Sequence, residues 1–178
     1  MAKFDNQRIL DFYKVAQERD FTRNFQFRVL DMSDKGGSII TQDDLVYAQS
    51  AQIPGRTITN IPTPYMGLDF NVPGAAKYPG SDAYAITFYA DGEHQIRSVF
   101  ETWTQRMFDD ATSTGEYRLH SNSIITLAQL DQQMEVTRTY QLVGCYPTAC
   151  GELEFNMTGN GEVVQFTATM AYQFWRRR

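Results

Sequence analysis

No run of about eighteen apolar residues occurs in this chain, which removes a helical membrane span. The opening stretch MAKFDNQRILDFYK has no apolar core of the kind a secretory signal needs, so export by that route is not expected. Cysteine is scarce: Cys145 and Cys150 stand close together in CYPTAC, and two are too few for a disulfide framework. Without an export signal, a reducing compartment and unpaired thiols are the expectation. Histidine is equally scarce, and neither His94 nor His120 has a Cys, Asp or second His at metal-ligand spacing. Positive charge is in deficit, 16 Lys and Arg against 21 Asp and Glu. A conventional duplex-binding protein takes its affinity from basic residues, so this balance argues against one. No GxSxG, P-loop or Cys–His constellation is present. Gly159-Asn160-Gly161 lacks a basic neighbour and reads as a turn rather than a phosphate cradle. Asp109-Asp110 and Asp43-Asp44 read as solvated surface. Neither catalysis nor a metal or cofactor is expected.

What is present is patterned apolar sequence. Hydrophobic residues make up 42%, enough for a packed core, and 178 residues suit one domain over 1–178. Ile9, Phe12, Tyr13 and Ala16 recur at helical spacing, with Asp5 or Asn6 as a cap. Phe25, Phe27 and Val29 then alternate as a strand. The polar tract 32–44 (MSDKGGSIITQDD) reads as a mobile hairpin tip or arm. Strand signals resume at 45–52, and Pro54-Gly55 supplies a turn. Residues 56–61 extend, while Pro62 and Pro64 each lack a ladder donor and make this an edge or an end. Met66, Leu68, Phe70 and Val72 fill one strand face, 73–82 is a loop, and Tyr84, Ile86 and Phe88 alternate again. One amphipathic helix is clear from Ile96, Val99, Phe100, Trp103 and Met107, with Asp91 as its cap and His94 opposite the apolar stripe. Segments 123–130 and 134–143 read as strands, as do Leu153, Phe155 and Met157. A tight turn at 158–161 then leads into a long strand running to Phe174. The pattern predicts a mainly β protein, a two-sheet sandwich or barrel with one packed helix and a short N-terminal helix.

Two strand faces are rich in Thr and Gln. Glu135, Thr137, Thr139 and Gln141 form one row; Gln165, Thr167 and Thr169 form another. Such rows are either the wet side of an antiparallel sheet or a hydrated wall that several subunits build together.

Three stretches resemble the tail tube proteins of contractile-tailed bacteriophages, a family related to the tubes of contractile injection systems. They are FTRNFQFRVL at 21–30, the middle QIPGRTITNIPTPYMGLDFNVPG with SDAYAITFYADGEHQIRSVFETW, and the close YQLVGCYPTACGELEFNMTGNGEVVQFTATMAYQFW at 140–175. Within the last, Gly144 and Pro147 bend the chain at a sheet corner. The resemblance implies hexameric rings stacked into a hollow tube, each subunit completing a shared β-barrel around the bore. It implies a structural virion protein made in the host cytoplasm, with no membrane partner. Its partners would be copies of itself, the tail sheath, baseplate and tail-terminator proteins, and in the lumen the tape-measure protein and then viral DNA. In this reading the two Thr/Gln rows are lumen candidates. The tract 32–50, with Asp34, Ile39, Ile40, Asp43 and Asp44, is the candidate inter-ring arm. A baseplate tube initiator and a bacterial injection-machine tube protein are alternatives of the same class. A monomeric small-ligand-binding β-barrel is the alternative of a different class, and it requires an enclosed apolar cavity.

Overall fold

The computed structural model describes residues 9–19, 21–34, 37–116 and 122–178. Three helices and thirteen strands follow one another as α1 (Ile9–Arg19), β1 (Phe27–Asp34), β2 (Gly37–Ser38), α2 (Gln42–Leu45), β3 (Ala48–Ser50), β4 (Thr57–Tyr65), β5 (Leu68–Lys77), β6 (Tyr84–Tyr89), α3 (Gln95–Met107), β7 (Phe108–Asp109), β8 (Thr114–Gly115), β9 (Ile124–Leu130), β10 (Val136–Val143), β11 (Tyr146–Cys150), β12 (Gln165–Ala171) and β13 (Phe174–Arg177). The strands form a first sheet, ordered β13-β10-β9-β1-β2, and a second, ordered β11-β12-β6-β3. Hairpins β4–β5 and β7–β8 stand as separate two-stranded ribbons. His120 and the proposed caps Asp5 and Asn6 lie outside the described residues.

One core joins the two sheets. Val29, Met32, Ile125, Leu127 and Leu142 come from the first, and Tyr84, Ile86, Phe88, Phe166 and Met170 from the second. The helix α3 adds Ile96, Phe100 and Trp103, the buried part of its predicted stripe. Phe100 packs 5.4 Å from Phe88 and 6.1 Å from Phe166, ring centre to ring centre, so aromatic rings fill the junction of helix and sheet. The Asp91 carboxylate accepts from the backbone N–H of Gln95 and so caps α3, as expected. His94 corrects the wheel reading: it sits at the N-cap with φ of 54° and its ring stands edge-on to Phe155 at 6.1 Å.

The chain changes sheets at two neighbouring corners. Gly144, at φ 74°, turns β10 of the first sheet into β11 of the second, as the Gly-Pro pattern predicts. The second corner was not legible: the predicted long strand breaks after Ala171, and β13 returns to the first sheet. There the Trp175 ring meets Tyr140 at 5.8 Å, and its indole N–H donates to the Gly55 carbonyl.

Other departures have local causes. A bulge between Val29 and Asp31 shifts the phase of β1, so Val29 and Met32 both face inward. Phe25 is exposed, whereas Gln26 is buried and accepts the Arg23 N–H. Leu45 ends the one-turn helix α2, capped by Thr41, rather than starting a strand. Residues 151–156 are not strand, and no tight hairpin forms at 158–161. Instead Asn156 holds a local turn by accepting from the Thr158 N–H and hydroxyl.

Candidate assembly surfaces

Partners across an antiparallel ladder share a face, so the register sorts the polar rows. Thr139 pairs with Ala128 and Gln141 with Thr126, on the outward side of the first sheet. Thr137 is the extra residue of a bulge between Val136 and Arg138, and Glu135 precedes the strand in the Asp131–Glu135 turn. The expected row of four is therefore a row of two. Gln165, Thr167 and Thr169 stay together on β12, opposite Tyr89, Thr87 and Ala85 of β6. The Thr87 and Thr167 hydroxyls are 3.2 Å apart. This row points out from the second sheet. Because both inner faces meet in one core, the two rows look in opposite directions and cannot form one wall within a subunit.

The 32–50 tract is not an extended arm. Met32 and Ile40 are buried in the core and Ile39 packs against it. The Asp34 carboxylate accepts from the Ser123 hydroxyl at 2.7 Å and is paired with Arg106. Thr41, Asp43 and Asp44 form a capped turn on the surface. Apolar Ile39 and Ile40 in a polar tract were the signal for an anchored segment.

The element that does protrude is the β4–β5 hairpin. None of its residues is buried. Its turn is Met66-Gly67, with φ of 50° and 83°, the positive pair that a two-residue primed hairpin turn requires. Pro62 pairs with Asn71, Pro64 with Asp69, and Pro73 with Asn60. All three prolines thus fall at positions whose nitrogen points away from the partner strand, where a missing donor costs no ladder bond. This explains how β4 continues through two prolines expected to end it. The alternate pairs, Ile61 with Val72, Thr63 with Phe70 and Tyr65 with Leu68, share the opposite face. That face is apolar and open to solvent, with Phe70 53% and Leu68 65% exposed. An exposed contiguous apolar face is the mark of an interaction surface. A second one lies on α1, which buries nothing and exposes Ile9, Phe12 and Tyr13.

The sheets end in open edges. In the first, β2 pairs only with Ser33 and Asp34 of β1, and β13 is the other margin. In the second, the margins are β3 and β11. The space between the sheets is filled by Phe88, Phe100, Phe166 and their neighbours, which leaves a ligand-binding barrel without its central cavity. A surface cleft of about 420 Å³ runs between α3 and the β1–β2 turn, lined by polar Asp34, Ser38, Thr102 and Arg106 beside Val99 and Trp103. Among the described residues no group of His, Cys, Asp or Glu comes together as a metal site. Cys145 and Cys150 are both free, and burial pushes the Cys145 thiol up to about 12.

A sandwich with open margins and a solvent-exposed apolar ribbon defines an assembly subunit rather than a self-sufficient module. The sequence model of the phage tail tube protein family matches residues 16–178, and the chain belongs to that family. It is 24% identical over 167 residues to the tail tube protein gp19 of Enterobacteria phage T4, covering 93% of this chain and 97% of that one. Its fold is similar to a chain of the anti-feeding prophage tube-terminating cap, with a TM-score of 0.60 at 14% identity, covering 100% and 99% of the two chains. It is also similar to a chain of an extracellular contractile injection system sheath–tube complex, with a TM-score of 0.55 at 14% identity, covering 93% and 96%. Proteins of this family are structural components of the virion's tail.

Proposed function

We propose that residues 1–178 form one tail-tube domain that assembles into hexameric rings, stacked as the inner tube of a contractile phage tail. The tube is a passive conduit for the genome. The observation that carries this reading is the β4–β5 hairpin, whose apolar face has no partner within its own subunit. A neighbouring copy is the occupant that turns this face and the open sheet margins into buried contacts. The hairpin replaces the 32–50 tract as the inter-ring arm. The sheath, baseplate and terminator proteins are the outer and end partners of the tube. The tape-measure protein and then DNA occupy its bore without specific binding, and the subunit is made in the host cytoplasm. Transit is favoured by a net negative subunit, since DNA carries one charge per roughly 1.7 Å and basic walls would hold it.

Negative-stain microscopy of the purified protein, alone and seeded with tail baseplates, tests the proposal. Six-fold rings in end view and rods in side view are expected. Particles that remain monomer-sized in the seeded sample would contradict it.

A further inference from the structure

We propose that the outward face of the β11-β12-β6-β3 sheet lines the bore, and that the outward face of the other sheet does not. The assignment rests on the tube reading above and decides between two surfaces that face opposite ways. On the second sheet, the register places Gln165, Thr167 and Thr169 of β12 outward with Ala85, Thr87 and Tyr89 of β6. The flanking strands extend the same face with Ser50 of β3 and with Ala149 and Tyr146 of β11. Not one of these side chains ionises near neutral pH. Adjacent hydroxyls also satisfy one another, as Thr87 and Thr167 do across the ladder.

The first sheet differs in kind. Its ladder pairs Arg28 with Ala128 and Gln141 with Arg176, so both arginines stand on the outward face, together with Asp31 beside Thr126. Arg28 and Arg176 are exposed. Turned inward, they would repeat around every ring and at every layer, giving a cation-studded wall with a phosphate backbone alongside. Each phosphate contact releases condensed counterions and adds affinity, which is a brake on a sliding polyanion. A cation on the outside of the tube lies beyond a Debye length of roughly 8 Å from the axis and exerts no such drag. The uncharged face suits the inside, and the arginine-bearing face suits contact with other proteins.

Chain connectivity agrees. The hairpin β4–β5 is inserted between β3 and β6, which are neighbours at one margin of the second sheet. The arm that joins layers therefore grows from the same sheet that would form the barrel wall.

The test uses bare assembled tubes of Thr167→Cys and Thr139→Cys variants in a Cys150→Ser background. Each is treated with a small maleimide or with a maleimide carried on a particle wider than the bore. Thr167→Cys is expected to react with the small reagent and to be slowed about tenfold or more with the bulky one, relative to dissociated subunits, because access limits thiol attack. Thr139→Cys is expected to lack that pattern. Gln165→Cys substitutes for Thr167→Cys if the latter fails to assemble. Ready attack on the β12 thiol by the bulky reagent, closure of that thiol to both reagents, or the size-selective pattern at Thr139→Cys would overturn the assignment. Failure of the unmodified chain to form tubes at all would instead strike the tube reading, and microscopy shows this before any labelling.

Discussion

Phe100 and Cys145 show what single side chains contribute to a subunit whose surfaces are committed elsewhere. Phe100 is fully buried at the contact of α3 with Phe88 and Phe166. Truncation to Ala removes transfer energy and leaves a cavity, so chemical denaturation of Phe100→Ala subunits is expected to show a loss of about 3–5 kcal/mol. Cys145 is buried beside the Gly144 corner, and its thiol is raised from 9.0 to about 12 by burial. The folded state then holds the thiol neutral where the unfolded chain ionises it. That contribution is complete below pH 9 and is lost as pH climbs from 9 toward 12. Alkaline melting curves should therefore show a steeper loss of stability over that interval for the natural chain than for Cys145→Ala. Cys145 is also expected to resist alkylation at pH 8 in the folded protein and to react freely in denaturant.

At the scale of elements, the hairpin is separable from the core and the 32–50 tract is not. Ile61→Asp with Phe70→Asp puts two carboxylates on the exposed ribbon face, where neither removes a buried contact of the same subunit. Melting of the unassembled subunit should change little, within about 0.5 kcal/mol per surface substitution. Tube length by microscopy should collapse; long rods from this variant would rule the hairpin out as the arm. A deletion within 34–42, by contrast, removes Ile40 from the core and Asp34 from its bonds with Ser123 and Arg106, and is expected to unfold the subunit. Legibility follows from the same physics. The α3 stripe, the β6 alternation and the Gly144 corner could be read because periodicity and a positive-φ glycine are local signals. The bulges at Leu30 and Thr137 each add one residue, which inverts every later side chain without changing composition. The split of the final strand after Ala171 is a change of sheet, set by partners distant in sequence. The two Thr/Gln rows looked alike as sequence, and only the ladder register places them on opposite sides of the molecule.

For the whole molecule, the prediction concerns charge. Thr167→Lys with Thr169→Lys places cations on the proposed wall, whereas Thr139→Lys with Gln141→Lys places them on a face that already carries Arg28 and Arg176. Phage assembled with the first pair should form tails of normal length and deliver DNA poorly, with partial relief at high salt, since phosphate contacts weaken as ionic strength rises. The second pair should leave delivery near normal. Comparable ejection by both would remove charge as the property selected for the bore. More direct than any variant is a helical reconstruction of the assembled tube at side-chain resolution. The account predicts that Ile61, Phe70 and Leu68 of each copy are buried against another copy and that the margins of the second sheet are hydrogen-bonded to sister strands. A map in which the hairpin stands in solvent and each subunit keeps its own open margins would contradict it.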